Sequence, residues 1–224
     1  MTTESILINN LAGLLIVTSL MVTMARKATW SVAFYTVQSL ILVLIFILIG
    51  RVSGASQLYV WAGTAFVTKA VLVPGIIYWG ATHLSDPKVE SGQLHMIRML
   101  FIAAVIVLLS YLAVEPVNMA LISHNNEAIE VLKPVLAVSL GHFMIGVLCI
   151  VMQRSILKQI FGYCLMENGA HLMLALLANQ ASGLVEIGVA TDAIFAVVVM
   201  TLLVRRIYNT IHTLDANELM SLKG

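Results

Sequence analysis

Residues 28–50 read ATWSVAFYTVQSLILVLIFILIG, a run with no Asp, Glu, Lys or Arg. A helix crossing about 30 Å of hydrocarbon needs about 20 such residues, so this stretch is long enough to span a bilayer. Six more stretches meet the same test, near residues 5–25, 57–80, 96–116, 131–153, 155–178 and 183–205. The third has Tyr59 and Trp61 at one end and Tyr78 and Trp79 at the other, as interfacial aromatic belts require. The runs lack the alternation of a membrane β-barrel, the other architecture that satisfies backbone groups in lipid. The sequence therefore predicts an all-α integral membrane protein of about seven transmembrane helices.

Composition agrees. Hydrophobic residues make up 60% of the chain, charged residues 10%, and mean hydropathy is +0.99, a balance that in water would leave large apolar patches exposed. Net charge is +1, and no clustered basic face points to nucleic acid. The lipid bilayer is the expected surrounding. Two cysteines, Cys149 and Cys164, fall within apolar stretches; they cannot alone supply the four ligands of an iron–sulfur cluster or structural zinc and read as packing residues. No cofactor or metal site is expected, nor a catalytic site, since the longest polar intervals, near 81–95 and 117–130, are too short for a soluble redox domain.

Residues 1–10 carry Glu4 and no basic residue, while Arg26 and Lys27 follow the first apolar run. This order does not fit a signal peptide, so the first helix is expected to be retained. Arg26, Lys27, Lys88, Arg98, Arg154, Lys158, Arg205, Arg206 and Lys223 fall on one side, against Arg51 and Lys133 on the other. The positive-inside rule then predicts the N-terminus outside and the C-terminus cytoplasmic. The expected organisation is four N-terminal helices over 1–116, an external loop 117–130, a three-helix module 131–206 and a cytoplasmic tail 207–224. A weak repeat pairs Gly13 with Gly141, Arg26 with Arg154 and Tyr35 with Tyr163, and Thr68-Lys69-Ala70 with Thr191-Asp192-Ala193. With one spacer helix it is a possible parallel three-helix repeat.

The arginines also serve as depth markers. Glu167 lies thirteen residues after Arg154, Asp192 thirteen before Arg205 and His142 twelve before Arg154, which places all three roughly 18–20 Å from that end, near mid-bilayer. Lys69, in the centre of the third span, falls at about the same level. Each charge costs about 2.5–3.5 kcal/mol at a helix centre, so a chain that needed packing alone would do better with Leu. Two explanations remain open: Lys69 pairs with a carboxylate merely to fix helix register, or the layer carries protons. Desolvation and a nearby opposite charge shift the same groups in opposite directions, so moving one neighbour makes each group take or release a proton. Glu167 and His171 share a helical face at i, i+4, with Asn168 beside them, although a lone intramembrane His is also a common helix–helix hydrogen-bonder. Pro74 removes a backbone donor one turn from Lys69 and predicts a kinked, loosened turn. Glu186, Glu115 and Lys133 read as residues of helix ends. Haem ligation by His142 and His171 is disfavoured by a height difference of about 7 Å.

Several segments carry a family resemblance: KPVLAVSLGHFMIGVLCIV (133–151), QRSILKQIFGYCLMENGAHL (153–172), VEIGVATDAIFAVVVMTLLVRR (185–206), VTKAVLVP (67–74) and LDANELMSLKG (214–224). They resemble component E of hydrogenase-4-type, group 4 nickel–iron, membrane-bound hydrogenases over essentially the whole chain. The last three helices also resemble the K-type subunit of respiratory complex I and the small subunit of Mrp-type antiporters. The resemblance implies a non-catalytic subunit of an oxidoreductase complex in the cytoplasmic (inner) membrane. Its partners would be antiporter-like subunits, a quinone-site-like membrane subunit, and iron–sulfur and nickel–iron subunits. Of the two glutamates on the K-type proton path, the second corresponds to Asp192; the first aligns with Cys164, and Glu167 lies one turn further along on roughly the same face.

The function expected from all this is proton translocation through Lys69, Glu167, Asp192, His142 and His171. A structural adaptor between hydrogenase arm and antiporter-like subunits is the alternative, and an independent small-solute transporter a more distant one. The tail from Ile207 to Gly224 is expected on the cytoplasmic surface, docking a partner.

Overall fold

The computed structural model describes residues 3–82, 84, 93–117, 126–177 and 183–220. Among these, helices account for nearly everything. They are α1 (Thr3–Met24), α2 (Ala28–Ser53), α3 (Gln57–Ala65), a π-helical segment (Phe66–Leu72), α4 (Val73–Ala81), α5 (Gln93–Val114), α6 (Asn126–Met152), α7 (Ile156–Leu177), α8 (Gly183–Ile211) and the short α9 (Ala216–Met220). Seven are long and apolar enough to cross a membrane once α3, the π segment and α4 are joined as one span, Gln57–Ala81.

The ends differ from the hydropathy reading at two places. α6 starts at Asn126, adding polar turns with Glu127 and Glu130 before its apolar run, and continues through Pro134. α8 runs to Ile211, past the expected boundary at 206. Hydropathy marks where apolar residues stop, whereas backbone hydrogen bonding continues into water. Residues 118–125, most of the expected loop 117–130, and residues 221–224 of the tail lie outside the described residues.

α6 and α7 pack closest. A Cβ on Gly146 would fall 2.3 Å from the Met166 nitrogen, and one on Gly169 2.5 Å from the Phe143 nitrogen. In lipid there is little hydrophobic drive between helices, so backbone approach through small residues, with the dispersion contacts it allows, supplies the attraction. These glycines set His142 on α6 beside the turn of α7 that carries Glu167.

At the arginine end the chain is tied to itself. The Ile156 N–H donates to the Leu214 carbonyl (3.1 Å) and the Ala216 N–H to the Arg154 carbonyl (2.9 Å), so residues 214–216 hold the α6–α7 connection in an antiparallel bridge between Ser155 and Asp215. Arg205 lies 4.2 Å from the centre of the Trp79 ring, a cation–π contact joining α8 to α4. This part of the tail, expected to dock a partner, packs on its own chain.

Among the described residues, three apolar clusters fill the bundle; the smallest joins Met99 and Ala103 of α5 to Ile145, Leu148 and Cys149 of α6, and two are larger. One gathers Ile8, Ala12 and Leu15 of α1, Ile41 to Ile49 of α2, Leu58 to Ala65 of α3, Leu132 to Val138 of α6, and Leu172 to Leu176 of α7. The other gathers Val22, Val32, Tyr35, Val73, Ile77, Leu157 to Leu165, Val197 and Val204. Between the two larger clusters, on α1, α2, the π segment, α6 and α7, the buried residues are polar: Thr18 and Ser19, Gln38 and Ser39, Thr68 and Lys69, Ser139 and His142, then Asn168 and His171. One polar layer divides the core.

Candidate functional site

The layer centres on Lys69. Pro74, five residues on, cannot donate the backbone hydrogen bond that a regular α-helix needs there. The chain widens into a π turn from Phe66 to Leu72, in which the Val73 N–H reaches back to the Thr68 carbonyl. The loosened turn expected near Pro74 thus takes the form of a π-helical segment, a local geometry frequent at functional sites. It turns Lys69 inward, 1% exposed, where its Nζ donates to both Glu167 oxygens at 2.7 Å.

His142 lies within electrostatic reach of Lys69 and is 1% exposed. Its Nδ1 is 2.7 Å from Ser19 Oγ, and Ser19 donates to the Leu15 carbonyl at 2.6 Å. Its Nε2 is 2.7 Å from the Gln38 Nε2 amide. An amide nitrogen only donates, so His142 Nε2 accepts; with the Ser19 hydroxyl proton committed to Leu15, His142 Nδ1 carries the ring proton and donates to Ser19. This is a neutral imidazole with both nitrogens engaged, its one free lone pair, on Nε2, taken by the Gln38 amide.

Lys69 and Glu167 therefore meet in the interior, and His142 is buried in the same polar layer, bonded to Ser19 and Gln38. His171 lies on the same side of the layer, packed between Phe46 (ring centroids 4.9 Å apart) and Trp61 (5.4 Å). Asp192 does not join them: it is exposed on the outer face of α8, with Phe195, Val199 and Leu202 also exposed along that helix. Counting from arginines fixes height but not azimuth, and the azimuth turns Asp192 outward. Half-buried Tyr163, one turn before Glu167, is within electrostatic reach of both Glu167 and Asp192.

Three residues escaped the charge-based reading. Ser19, Gln38 and Ser39 are neutral, and no insertion penalty of the size that marks a Lys or Glu singles them out. Their signal was positional: Gln38 and Ser39 are adjacent polar residues near the middle of α2, just before its long apolar run 40–50. Lys158 is a different case. Counted as a residue of the arginine side, it is buried and donates to the Val22 carbonyl at 3.1 Å, to the Ala25 carbonyl and to Ser31 Oγ. A cation there satisfies the open carbonyls at the C-terminus of α1 and complements its dipole. Lys133 donates to the Glu115 carbonyl, joining the ends of α5 and α6. Glu186 lies near the start of α8, and its side chain is outside the described residues.

Comparison with known proteins bears on the whole chain. Residues 134–224 match the family model for NADH-ubiquinone/plastoquinone oxidoreductase chain 4L. No solved structure matches. Hydrogenase-4 component E of Escherichia coli K12 is 50% identical over 99% of this chain and all of that protein, and the same holds for the component E proteins of Escherichia coli O157:H7 and Shigella flexneri. At that identity and coverage, with seven membrane-spanning helices to match, the chain belongs to the hydrogenase-4 component E family.

Proposed function

We propose that this chain is a multi-pass subunit of a hydrogenase- and complex I-like assembly in the cytoplasmic membrane, and that it passes protons through its polar layer. The names of its relatives support membership of a multi-subunit complex. The observation that carries the proton-transfer reading is the Lys69–Glu167 pair, closed at 2.7 Å inside a π-helical turn.

Such a pair is bistable. The ammonium is tolerated in the interior because the carboxylate faces it; a proton arriving on Glu167 cancels that charge and leaves Lys69 to release its own proton or change partner. His142 accepts a proton only by losing the Gln38 donation to its Nε2, so it serves as an intermediate when that amide turns. His171 extends the layer along α7. Towards α8, Tyr163 and then Asp192 bring the path to the surface of the chain.

The exposure of Asp192 bears on partners. Facing acyl chains at a helix centre costs an Asp about 2.5–3.5 kcal/mol, and a neighbouring subunit that offers a proton donor or cation there removes the penalty. The outer face of α8 is accordingly the surface that meets an antiporter-like subunit. Glu167→Gln and Asp192→Asn in the complete assembly test the reading: both are expected to assemble and lose proton pumping. Unchanged pumping in both would favour the adaptor role instead.

A further inference from the structure

Gly80 lets α8 come close to the end of α4. A Cβ there would fall 2.1 Å from Thr201 Cγ2, and Arg205, one turn beyond Thr201, rests 4.2 Å from the centre of the Trp79 ring. One turn back along α4, Gly75 has nothing within 4 Å of where its Cβ would be, so open space lies on the membrane side of the stacked pair. Tyr78, Trp79, Leu202 and Leu203 are exposed around it. The two helices thus touch at Gly80 and part at Gly75, which leaves a groove between them with Arg205 at its head.

Stacking on an indole occupies only the face of a guanidinium. The N–H donors lie in its plane, as a fork that matches phosphate, and the ring holds that plane in one orientation. Among the described residues the one ion pair is Lys69–Glu167, so none of their carboxylates neutralises Arg205, and Arg206 beside it is exposed. From the arginine end inward the groove offers two cations, an aromatic side chain of the interfacial belt and an apolar wall. A phospholipid presents phosphate, glycerol and acyl chain in the same order. Basic groups at a membrane surface attract anionic lipid, whereas a zwitterionic headgroup carries its own counter-charge and leaves both arginines uncompensated.

We propose that the α4–α8 groove binds an anionic phospholipid, its phosphate on the Arg205 guanidinium, Arg206 adding a second charge, and an acyl chain running past Leu202 towards Gly75. Arg205 lies thirteen residues beyond Asp192, which turns it about 140° round α8. The lipid therefore fills the flank of α8 beside α4 and leaves the Asp192 face to a neighbouring subunit. The site stands whether or not the polar layer conducts protons.

The test uses the full chain in nanodiscs of phosphatidylglycerol and phosphatidylcholine in equal parts, released into mild detergent and weighed by native mass spectrometry. Phosphatidylglycerol is expected to stay bound in preference to phosphatidylcholine. Arg205→Gln should lower that preference by about fivefold, the contribution of one basic group at a membrane surface. Arg205→Lys keeps the charge without the flat stacking face and should retain part of it. Arg154→Gln, the same change of charge at the same end but on the α6–α7 turn, should leave it as in the wild type. Equal retention of the two lipids, an undiminished preference in Arg205→Gln, or an equal loss in Arg154→Gln would overturn the proposal. If Arg205→Gln does not fold, exposed Arg206→Gln takes its place, with the same loss expected and an undiminished preference again refuting. An image of the complete assembly gives a separate reading: headgroup density against the Arg205 guanidinium is expected, and a neighbouring subunit's carboxylate in that position would contradict it.

Discussion

Replacing Glu167 by Gln leaves the Lys69 ammonium inside the bundle with no counter-charge. Lys69 is 1% exposed and its carboxylate partner 13%, so solvent screens the pair little. Breaking one side of such a pair costs about 3–5 kcal/mol, because the surviving charge remains buried. Lys69→Met should cost a similar amount by stranding the carboxylate. The double variant removes both charges and fills the site with neutral groups, which is often neutral in stability. A cycle built from the wild type, both single variants and the double variant should therefore give a coupling of several kcal/mol, well above the roughly 0.3–0.5 kcal/mol of independent sites. Thermal unfolding in detergent, followed by helical circular dichroism, reads it directly. Additive single effects would refute the claim that the two charges are held against each other, and with it the bistable pair.

Three other outcomes follow from the packing. Lys158→Met takes the lysine donor from the Ala25 carbonyl and leaves the Val22 carbonyl to the Ser31 hydroxyl (3.0 Å), and loss of charged hydrogen bonds of this sort should lower stability by about 1.5–3 kcal/mol, seen as faster hydrogen exchange at the end of α1. Gly146→Ala puts a Cβ 2.3 Å from the Met166 nitrogen and should cost about 1–3 kcal/mol as α6 and α7 separate, measured by the unfolding midpoint. Asp192→Asn, exposed on α8, should move the stability of the isolated chain by no more than about 0.5 kcal/mol and leave its co-purification with the assembly unchanged, while proton pumping is lost.

Much of this was legible in the residues. The seven spans follow from apolar run length, and the height of Glu167 and His142 from their spacing to the arginines, because an α-helix advances by a fixed rise; that of Lys69 follows from its place at the middle of its span. Height alone could not say that Asp192 faces outward while Glu167 faces Lys69; that depends on the rotation of each helix, which packing decides, at Gly146 and Gly169 for α6 and α7 and where Gly80 meets Thr201 for α8. Pro74 pointed to a loosened turn beside Lys69, but the widening begins eight residues earlier, at Phe66, where no residue type announces it. The burial of Lys158 was hidden because charge counts treat a lysine near a helix end as solvated, and this one caps a different helix. Ser19, Gln38 and Ser39 were hidden for the opposite reason: neutral groups stand out less than charges in an apolar run, although they complete the layer.

The most direct test combines stability with transport. The complete assembly carrying Lys69→Met together with Glu167→Gln should fold and assemble, since the two substitutions together leave no bare charge, and should be reconstituted into liposomes loaded with a pH-sensitive dye. The account predicts that electron transfer in these vesicles drives no acidification or alkalisation of the lumen beyond the uncoupled baseline. Proton movement at the wild-type rate would contradict it, for the pair would then be a structural tie with no part in conduction.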